Sequence, residues 1–306
     1  MKKIFFILLS VVVLAIVAIF IFIPSEIKIS SVTSSSVNQL AAQRVLMNDA
    51  VWRQWWPGEE KFAYQGTQFS LTKKMLYAFE LSIIQRGDTI SGLLQLIPVN
   101  TDTTRLNWVC TLTAGSNPLY RFIKYLEAIA LKKNLDFLLN SLSNFLGKKE
   151  NIYGFTVKNS IVTDSVLIST RKQFNHYPDE FEIDSLIQKL RSYIRSNNAK
   201  EMNYPMLHIR RIDSLHFEAM TAIATDTKLP DTHEFAYKML LKGGNLLEAE
   251  ITGGYATIRK AFSEYNNYVR DYNYTSPAIP YELMITDRTK ERDTLKWVTR
   301  LCYPVF

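Results

Sequence analysis

The fold of the second half of the chain is decided by two stretches, IDSLIQKLRSYI at residues 183–194 and IRKAFSEYNNYV at residues 258–269. The second stretch begins 75 positions after the first, and in both the bulky side chains recur at steps of three and four. This spacing places them on one face of a helix, so the sequence predicts two related helices. The superposed pairs are Ile183 and Ile258, Leu186 and Ala261, Ile187 and Phe262, Leu190 and Tyr265, Tyr193 and Tyr268, and Ile194 and Val269.

The repeat extends beyond the two helices, because Pro205 falls on Pro280 and each proline opens an extended segment. The pattern is strand, helix, strand, strand, and it occurs twice. Duplicated units of this kind pair their sheets around a pseudo-twofold axis, and the groove between them is a natural ligand site. The predicted strands are Val162–Thr170, Met206–Ile212 and Phe217–Ala224 in the first unit, and Phe235–Ile251, Tyr281–Thr286 and Leu295–Tyr303 in the second.

The repeat also identifies an unusual residue, since Glu282 stands where the other unit has Leu207. A carboxylate that faces the groove is partly desolvated and is best stabilised by a cationic ligand or a hydrogen-bond donor. Aromatic rings nearby could add cation–π contacts. The alternative is an ordinary surface glutamate on an edge strand. The candidate aromatic ligands are Tyr281, Tyr255, Tyr237 and Trp297.

The first half of the chain changes its hydrophobic period near Pro118. Before it, several candidate strands follow a short helix, for which Ser35 or Ser36 is the expected cap, and a tryptophan cluster. After it, apolar residues at steps of three and four predict one long helix with a single buried stripe that runs from Leu119 to Leu146. An antiparallel sheet closed by such a helix is an α+β design with room for an apolar ligand. Trp52, Trp55 and Trp56 either line this cavity or fill the core.

The N-terminus contains an apolar run from Ile4 to Ile23 whose only polar member is Ser10. Twenty helical residues span roughly 30 Å, the thickness of the hydrocarbon core, which predicts an uncleaved anchor. A cleaved signal peptide is the alternative, but its apolar stretch is shorter and ends in small residues. Lys2 and Lys3 precede the run, so the positive-inside rule keeps the N-terminus in the cytoplasm and the rest outside.

Composition and motifs exclude several functional classes. The 306 residues are 47% apolar, and Gly and Pro are few at 11 and 10, so a disordered or collagen-like chain is excluded. The charge of +7 contains no long run of one sign, so no nucleic-acid partner is expected. Two cysteines and four unclustered histidines give neither a disulfide framework nor a metal site. No nucleotide-binding or hydrolase motif is present, so no cofactor is expected and no catalytic residue is assigned.

Residues 151–306 resemble the gyrase-inhibitor-like (GyrI-like) effector-binding domain, which is also the sensor half of some bacterial transcription activators. The resemblance rests on Gly253-Gly254-Tyr255 before the second helix, on Pro280-Tyr281-Glu282-Leu283-Met284, on Asp287 and Asp293, and on the closing segment from Trp297 to Val305. It implies that Glu282 lies in the groove between the two halves and meets cationic, amphipathic ligands. The chain departs from the activators because no helix-turn-helix domain precedes this part.

Residues 26–150 are similar to the START-like polyketide cyclase/dehydrase (SRPBCC) superfamily. The matching features are the short helix after the first strand, the tryptophan cluster, the strand series and the long final helix. The resemblances imply an α+β chain made of an anchor at 1–25, a START-like helix-grip domain at 26–150 and a GyrI-like duplicated βαββ domain at 151–306. An anchored pair of this kind resembles a recurring bacterial architecture of the inner membrane.

Three functional hypotheses follow. The first is a non-catalytic, membrane-anchored protein that binds small amphipathic or lipid-like molecules, with Glu282 pairing to a cationic group. The second is a hydrolase or cyclase in which Glu282 and a tyrosine act as a general acid/base pair. The third is a scaffold whose grooves hold a protein partner.

Overall fold

The computed structural model describes residues 2–58 and 62–306, and the chain divides into two compact units, Met1–Ile152 and Tyr153–Phe306. Each unit contains an antiparallel sheet with helices packed on it, and an apolar helix precedes the first sheet. The α+β class expected from the sequence is confirmed.

The chain begins with helix α1, Lys2–Phe22, whose side chains from Ile4 to Val17 are all exposed. Its one hydroxyl, on Ser10, donates to the Phe6 carbonyl oxygen at 2.9 Å, so the polar atom is satisfied within the helix. The segment Lys3–Phe22 is long and apolar enough to cross a membrane, a property that a signal sequence near the N-terminus shares.

The sheet of the first unit has six strands in the order β1-β6-β5-β4-β3-β2, with every neighbouring pair antiparallel. Arg86 and Gly87 adopt left-handed φ values of 49° and 91° at the tight turn between β4 and β5. A two-residue turn of this hand matches the twist of the strands it joins. Of the candidate strands before Pro118, the first was expected at Lys61–Tyr64; it is present only as β2, and Lys61 itself lies outside the described residues. The strands are β1 Glu26–Ser35, β2 Ala63–Tyr64, β3 Thr67–Met75, β4 Ala78–Gln85, β5 Asp88–Pro98 and β6 Thr104–Thr113.

Two short helices, α2 Gln39–Leu46 and α3 Asp49–Trp55, follow β1. The side chain of Asn38 accepts a hydrogen bond from the Leu40 amide and caps α2, so the cap expected at Ser35 or Ser36 was wrong. Ser35 ends β1 instead, and its hydroxyl donates to the Ser143 carbonyl oxygen at 2.8 Å. The amide of Asn38 also donates to the Thr101 carbonyl oxygen, so this residue fixes both the helix and a loop.

Helix α4, Pro118–Leu146, closes the first unit and packs along β1 and β6. The single buried stripe expected on this helix was wrong. The later members are buried, but the early ones are exposed because the residues that face the sheet in the first turns are Arg121, Lys124, Glu127 and Ala128. The buried members are Leu135, Leu138, Leu139, Leu142 and Leu146, and the exposed ones are Leu119, Phe122, Ile123, Leu126 and Ile129.

The second unit contains the predicted repeat. Strand β8 (Val166–Phe174), helix α6 (Glu180–Ser196) and strands β9 (Met206–Arg211) and β10 (Phe217–Ala224) form its first copy. Strand β12 (Asn245–Thr252), helix α7 (Tyr255–Asp271) and strands β13 (Tyr281–Met284) and β14 (Val298–Pro304) form the second. The remaining elements are helix α5 Lys149–Tyr153 at the border of the units, strands β7 Lys158–Ile161 and β11 Ala236–Met239, and a 3-10 turn at Thr294–Lys296.

The eight strands are ordered β11-β8-β10-β9-β13-β14-β12-β7. In each copy the last strand lies between the first and the second, so β8-β10-β9 of the first copy corresponds to β12-β14-β13 of the second. The copies meet where β9 pairs with β13, and there Leu207 lies directly opposite Glu282. Positions 207 and 282 are equivalent in the repeat, so the pseudo-twofold axis passes between them. Glu282, which stands where the first copy has a leucine, therefore lies at the junction of the two copies.

Candidate functional site

Glu282 lies on the helix-covered face of the second sheet. Directly paired residues of neighbouring strands project to the same face, so its side chain shares a face with Leu207. Leu207 and Met284, two residues further along β13, pack in the core beneath α6. Glu282 is only 4% exposed. A buried carboxylate of this kind requires a partner, because an unpaired charge away from water is costly.

The partner is Arg288, in the loop that follows β13. Its Nη2 atom donates to Oε2 of Glu282 at 2.7 Å and to Oγ1 of Thr299, on β14, at 2.8 Å. Arg288 is 3% exposed, so both charges of the pair are removed from water. Its Nε atom forms no hydrogen bond within the described part of the chain. The guanidinium is therefore hydrogen-bonded through Nη2 but, among the described residues, not through Nε.

Two aromatic rings complete the surroundings of this guanidinium. Its central carbon lies 5.3 Å from the ring centre of Tyr255 and 5.3 Å from that of Trp297. The two rings meet edge to face with their centres 5.2 Å apart. Cations within about 6 Å of a ring face are attracted by its negative charge density. Glu282, Tyr255 and Trp297 thus form an anionic, aromatic box around a cation, which we call the cation box.

Local sequence explains how the two rings reach the cation box. Gly253 has a φ of 141°, and a Cβ atom there would lie 2.9 Å from the Thr257 side chain, so only glycine fits before α7. Tyr255 is then the first residue of that helix. Trp297 is fixed by its indole N–H, which donates to the Glu291 carbonyl oxygen at 2.8 Å.

The titration behaviour of the cation box reflects burial first and charge second. Burial raises the pKa of Glu282 above the ordinary glutamate value, while the charge and hydrogen bond of Arg288 act in the opposite direction. Burial also raises the pKa of Tyr255, and it raises that of Tyr177, whose ring centre lies 5.7 Å from the Tyr255 ring, to about 12. Both phenols are therefore neutral at physiological pH, and the contact with Arg288 is what opposes the raised pKa of the buried Glu282 carboxyl.

A cavity of about 190 Å³ adjoins Arg288 on the α6 side of the box. Its walls carry three carboxylates, from Glu180, Asp184 and Asp287, two guanidiniums, from Arg191 and Arg288, and the apolar side chains of Ile187 and Met284. Its lining therefore combines charges of both signs with apolar surface, and without Arg288 it would carry three carboxylates against one guanidinium.

The other residues predicted for this site lie elsewhere. Successive side chains of a strand point to opposite faces, and Tyr281 accordingly packs in the cluster on the far side of the sheet, with Cys302 and Met206. Tyr237 lies on β11, four strands from β13, which is roughly 19 Å at about 4.8 Å per strand. The structure therefore brings Glu282, Tyr255 and Trp297 together, but not Tyr281 and Tyr237.

The three tryptophans proposed as a second site lie in the core of the first unit. Trp52, Trp55 and Trp56 are 1%, 3% and 8% exposed. The indole N–H of Trp52 donates to the Leu46 carbonyl oxygen at 2.8 Å, and its ring lies 5.6 Å from the Phe79 ring. These contacts are those of core residues, and a ligand cavity at this cluster stays a prediction.

Arg288, Thr299 and Tyr177 belong to the site but were not predicted from the sequence. Arg288 follows Glu282 by six residues in a loop, where neither helical nor strand periodicity relates one position to another. No metal site competes with this description, because no group of three or more His, Cys, Asp or Glu side chains within residues 2–58 and 62–306 could hold an ion.

No protein-family model matches the chain, and no curated protein matches it. The chain is similar to several solved structures. The C-terminal domain of EcmrR is 14% identical over 50% of this chain and 98% of that chain, with a TM-score of 0.42. SAV2435, in a structure bound to tetraphenylphosphonium, is 13% identical over 49% of this chain and 94% of that chain, with a TM-score of 0.33. The Zhui aromatase/cyclase from Streptomyces sp. R1128 is 12% identical over 39% of this chain and 93% of that chain, with a TM-score of 0.27.

Proposed function

We propose that this chain is a membrane-anchored, non-catalytic protein that binds small amphipathic cations at the cation box of its second unit. The observation that carries the proposal is that Glu282, Tyr255 and Trp297 already enclose a cation, the guanidinium of Arg288. A carboxylate in an aromatic enclosure selects for positive charge and apolar bulk together.

Binding proceeds by exchange of one cation for another. Arg288 belongs to a loop between β13 and β14, so its side chain can leave the cation box when the loop moves while the strands stay in place. The incoming cation then pairs with Glu282 and contacts Tyr255 and Trp297, and its apolar part occupies the adjoining cavity. The affinity of a ligand reflects the difference between its own contacts and those of Arg288.

A matched pair of probes tests this proposal. An aryl-alkyl trimethylammonium ion and its tert-butyl carbon analogue have the same shape and differ only in charge. We expect the full-length protein in detergent to bind the cation at least tenfold more tightly than the neutral analogue by equilibrium dialysis. Glu282→Gln should remove this preference, and Glu250→Gln, which changes an exposed glutamate on β12, should not.

Equal binding of the two probes by the unaltered protein would overturn the proposed role of charge. Consumption of the bound probe over time, abolished by Glu282→Gln, would instead favour the hydrolase or cyclase hypothesis. Co-purification of a stoichiometric protein partner that occludes the probe would favour the scaffold hypothesis.

We assign α1 as an uncleaved anchor of the bacterial inner membrane, with the N-terminus in the cytoplasm and the chain after α1 outside. The length and apolarity of Lys3–Phe22 support a span, and Lys3 before the apolar run supports the orientation. Fusion of alkaline phosphatase or a fluorescent protein after Phe306 tests it, because the first is active only outside the cytoplasm. Active fluorescent protein with inactive phosphatase would reverse the orientation.

A further inference from the structure

The first three turns of α4 expose a row of large apolar side chains, which we call the outer stripe. Its members are Leu119, Phe122, Ile123, Leu126 and Ile129, with exposed fractions of 68%, 43%, 41%, 50% and 38%. They lie on the side of α4 opposite Lys124, Ala128 and Leu131, which face the sheet. Soluble proteins rarely expose a contiguous apolar row of this size without a partner for it.

The outer stripe is confined to the beginning of the helix. Steps of seven residues keep to one face of a helix, and from Leu119 and Leu126 the next such positions are Lys133 and Asn140. Both of these are exposed polar residues. The one large apolar residue further along this side, Phe137, is stacked on Tyr64 with the ring centres 5.0 Å apart. The outer stripe is therefore not part of an apolar face that runs along the whole helix.

The end that carries the outer stripe is tied to the end of α1. Nη1 of Arg121 donates to the Ile23 carbonyl oxygen at 3.0 Å, and its guanidinium lies 4.7 Å from the ring centre of Phe20. The same guanidinium donates to the Gly115 carbonyl oxygen, so the loop before α4 is fixed to the same point. Arg121 lies two residues from Leu119, so the outer stripe starts where the spanning segment ends.

The flanking residues fit an interface between water and hydrocarbon. Tyr120 and Tyr125 are 44% and 41% exposed beside the outer stripe, and tyrosine is enriched where membranes meet water. A helix with one apolar face lies in this boundary region with that face directed into the acyl chains. The positive groups of this part of α4, Arg121 and Lys124, point away from the outer stripe and are bonded within the unit.

We infer that the first three turns of α4 lie in the interface of the phospholipid bilayer that α1 spans, with the outer stripe directed into its hydrocarbon boundary. This inference rests on the anchoring by α1 proposed above. The bilayer is the apolar phase that the last turn of α1 itself meets, and Arg121 holds the beginning of α4 against that turn. The first unit is then held against the membrane at two points, the end of α1 and the start of α4.

Spin labels on the full chain in vesicles of phosphatidylethanolamine and phosphatidylglycerol test the inference. Both native thiols are buried, so a nitroxide reagent modifies only an added cysteine. We expect the label of Leu126→Cys to meet dissolved oxygen more readily than a water-soluble nickel complex. The label of Lys133→Cys, two turns further along the same face, should show the reverse ratio.

Val12→Cys, in the middle of α1, separates the failure of this inference from that of the anchor. A hydrocarbon signal at position 12 together with equal nickel access at 126 and 133 would overturn the inference and leave the anchor and the cation box standing. Nickel access at position 12 would overturn the anchor and, with it, the inference. Leu126 is half exposed, so its replacement by cysteine should change the unfolding temperature no more than Lys133→Cys does.

Discussion

Nη2 of Arg288 lies 2.7 Å from Oε2 of Glu282, and the two side chains are only 1% and 6% exposed. The chain thus supplies a cation of its own to a buried carboxylate at the junction of its two repeats. Removing one partner of a buried ion pair costs more than the pair itself contributes to stability, because the other charge is left buried and uncompensated. Stability and ligand binding are therefore linked through the same two side chains.

Removal of the guanidinium should destabilise the second unit. We expect Arg288→Met to lower the free energy of unfolding by about 3–5 kcal/mol, the usual cost of breaking a buried pair. The double variant Glu282→Gln with Arg288→Met should recover a large part of this loss, because it leaves no unpaired charge. Urea denaturation of the full-length protein in detergent measures all three free energies.

An exposed pair in the same unit provides the control for this experiment. Arg300 and Glu250 approach to 3.9 Å with side chains 37% and 60% exposed, so Arg300→Met should cost at most about 1 kcal/mol. A similar loss for Arg288→Met and Arg300→Met would show that the Glu282 pair contributes no more than a surface contact.

The same variant should bind cations more tightly. In Arg288→Met the cation box has no internal occupant, so we expect the affinity for the trimethylammonium probe to rise at least tenfold over the unaltered protein. The probe should also raise the unfolding temperature of the variant more than that of the unaltered protein, since it binds only the folded state. Unchanged or weaker binding by Arg288→Met would mean that Arg288 supports the ligand site instead of occupying it.

Loss of Arg288 should also make binding depend on pH. Burial raises the pKa of Glu282, and without the opposing guanidinium it lies higher still. A cation binds the carboxylate, so the affinity of Arg288→Met is complete above the raised pKa and is lost as the pH falls through it. The stability of this variant should change in the opposite sense, because a folded-state pKa above the unfolded value favours folding as the pH falls. Dialysis from pH 8 down to pH 4.5 measures the first effect, and the neutral probe should bind independently of pH.

The parts of the fold that the sequence predicts are those in which periodicity decides burial. The helices at 183–194 and 258–269 follow this rule, and the repeat distinguishes Glu282 from its equivalent Leu207, although only the structure shows that the two are paired. Tyr281 shows that the type of a residue and its nearness in sequence do not place it at a site. Strand geometry directs its side chain to the face opposite that of its neighbour Glu282. Helix α4 shows another limit: its apolar residues occupy two faces, and periodicity does not tell which face meets the sheet.

Arg288 illustrates what the sequence could not supply. Its contact with Glu282 depends on the path of a loop between two strands, and loop paths depend on side chains such as Trp297 that are themselves placed by the fold. A buried carboxylate predicts that some donor is near, but it does not identify which of the chain's 36 Lys and Arg residues provides it.

Trp52 should contribute to stability as a core residue. Its ring is 1% exposed, contacts Trp55 and Phe79, and donates a hydrogen bond to the Leu46 carbonyl oxygen. We expect Trp52→Ala to cost about 3–5 kcal/mol in the first unit, and Leu76→Ala, at a position 75% exposed, to change stability by less than about 0.5 kcal/mol. Denaturation followed by circular dichroism provides the values. Unchanged stability with loss of a bound apolar molecule would instead make Trp52 part of a ligand cavity.

The two cysteines should be inert until the chain unfolds. Cys110 and Cys302 are 3% and 0% exposed, and burial raises the pKa of their thiols to about 11 and about 12. Because the thiolate is the reactive form, both should react with a disulfide reagent at pH 8 at least a hundredfold more slowly than an exposed cysteine introduced by Leu295→Cys. Addition of denaturant should expose each native thiol when its own unit unfolds, Cys110 with the first unit and Cys302 with the second. Rapid reaction of Cys302 in the folded protein would show that the sheet around β14 opens readily, so that Thr299 on this strand would not hold Arg288 in a fixed place.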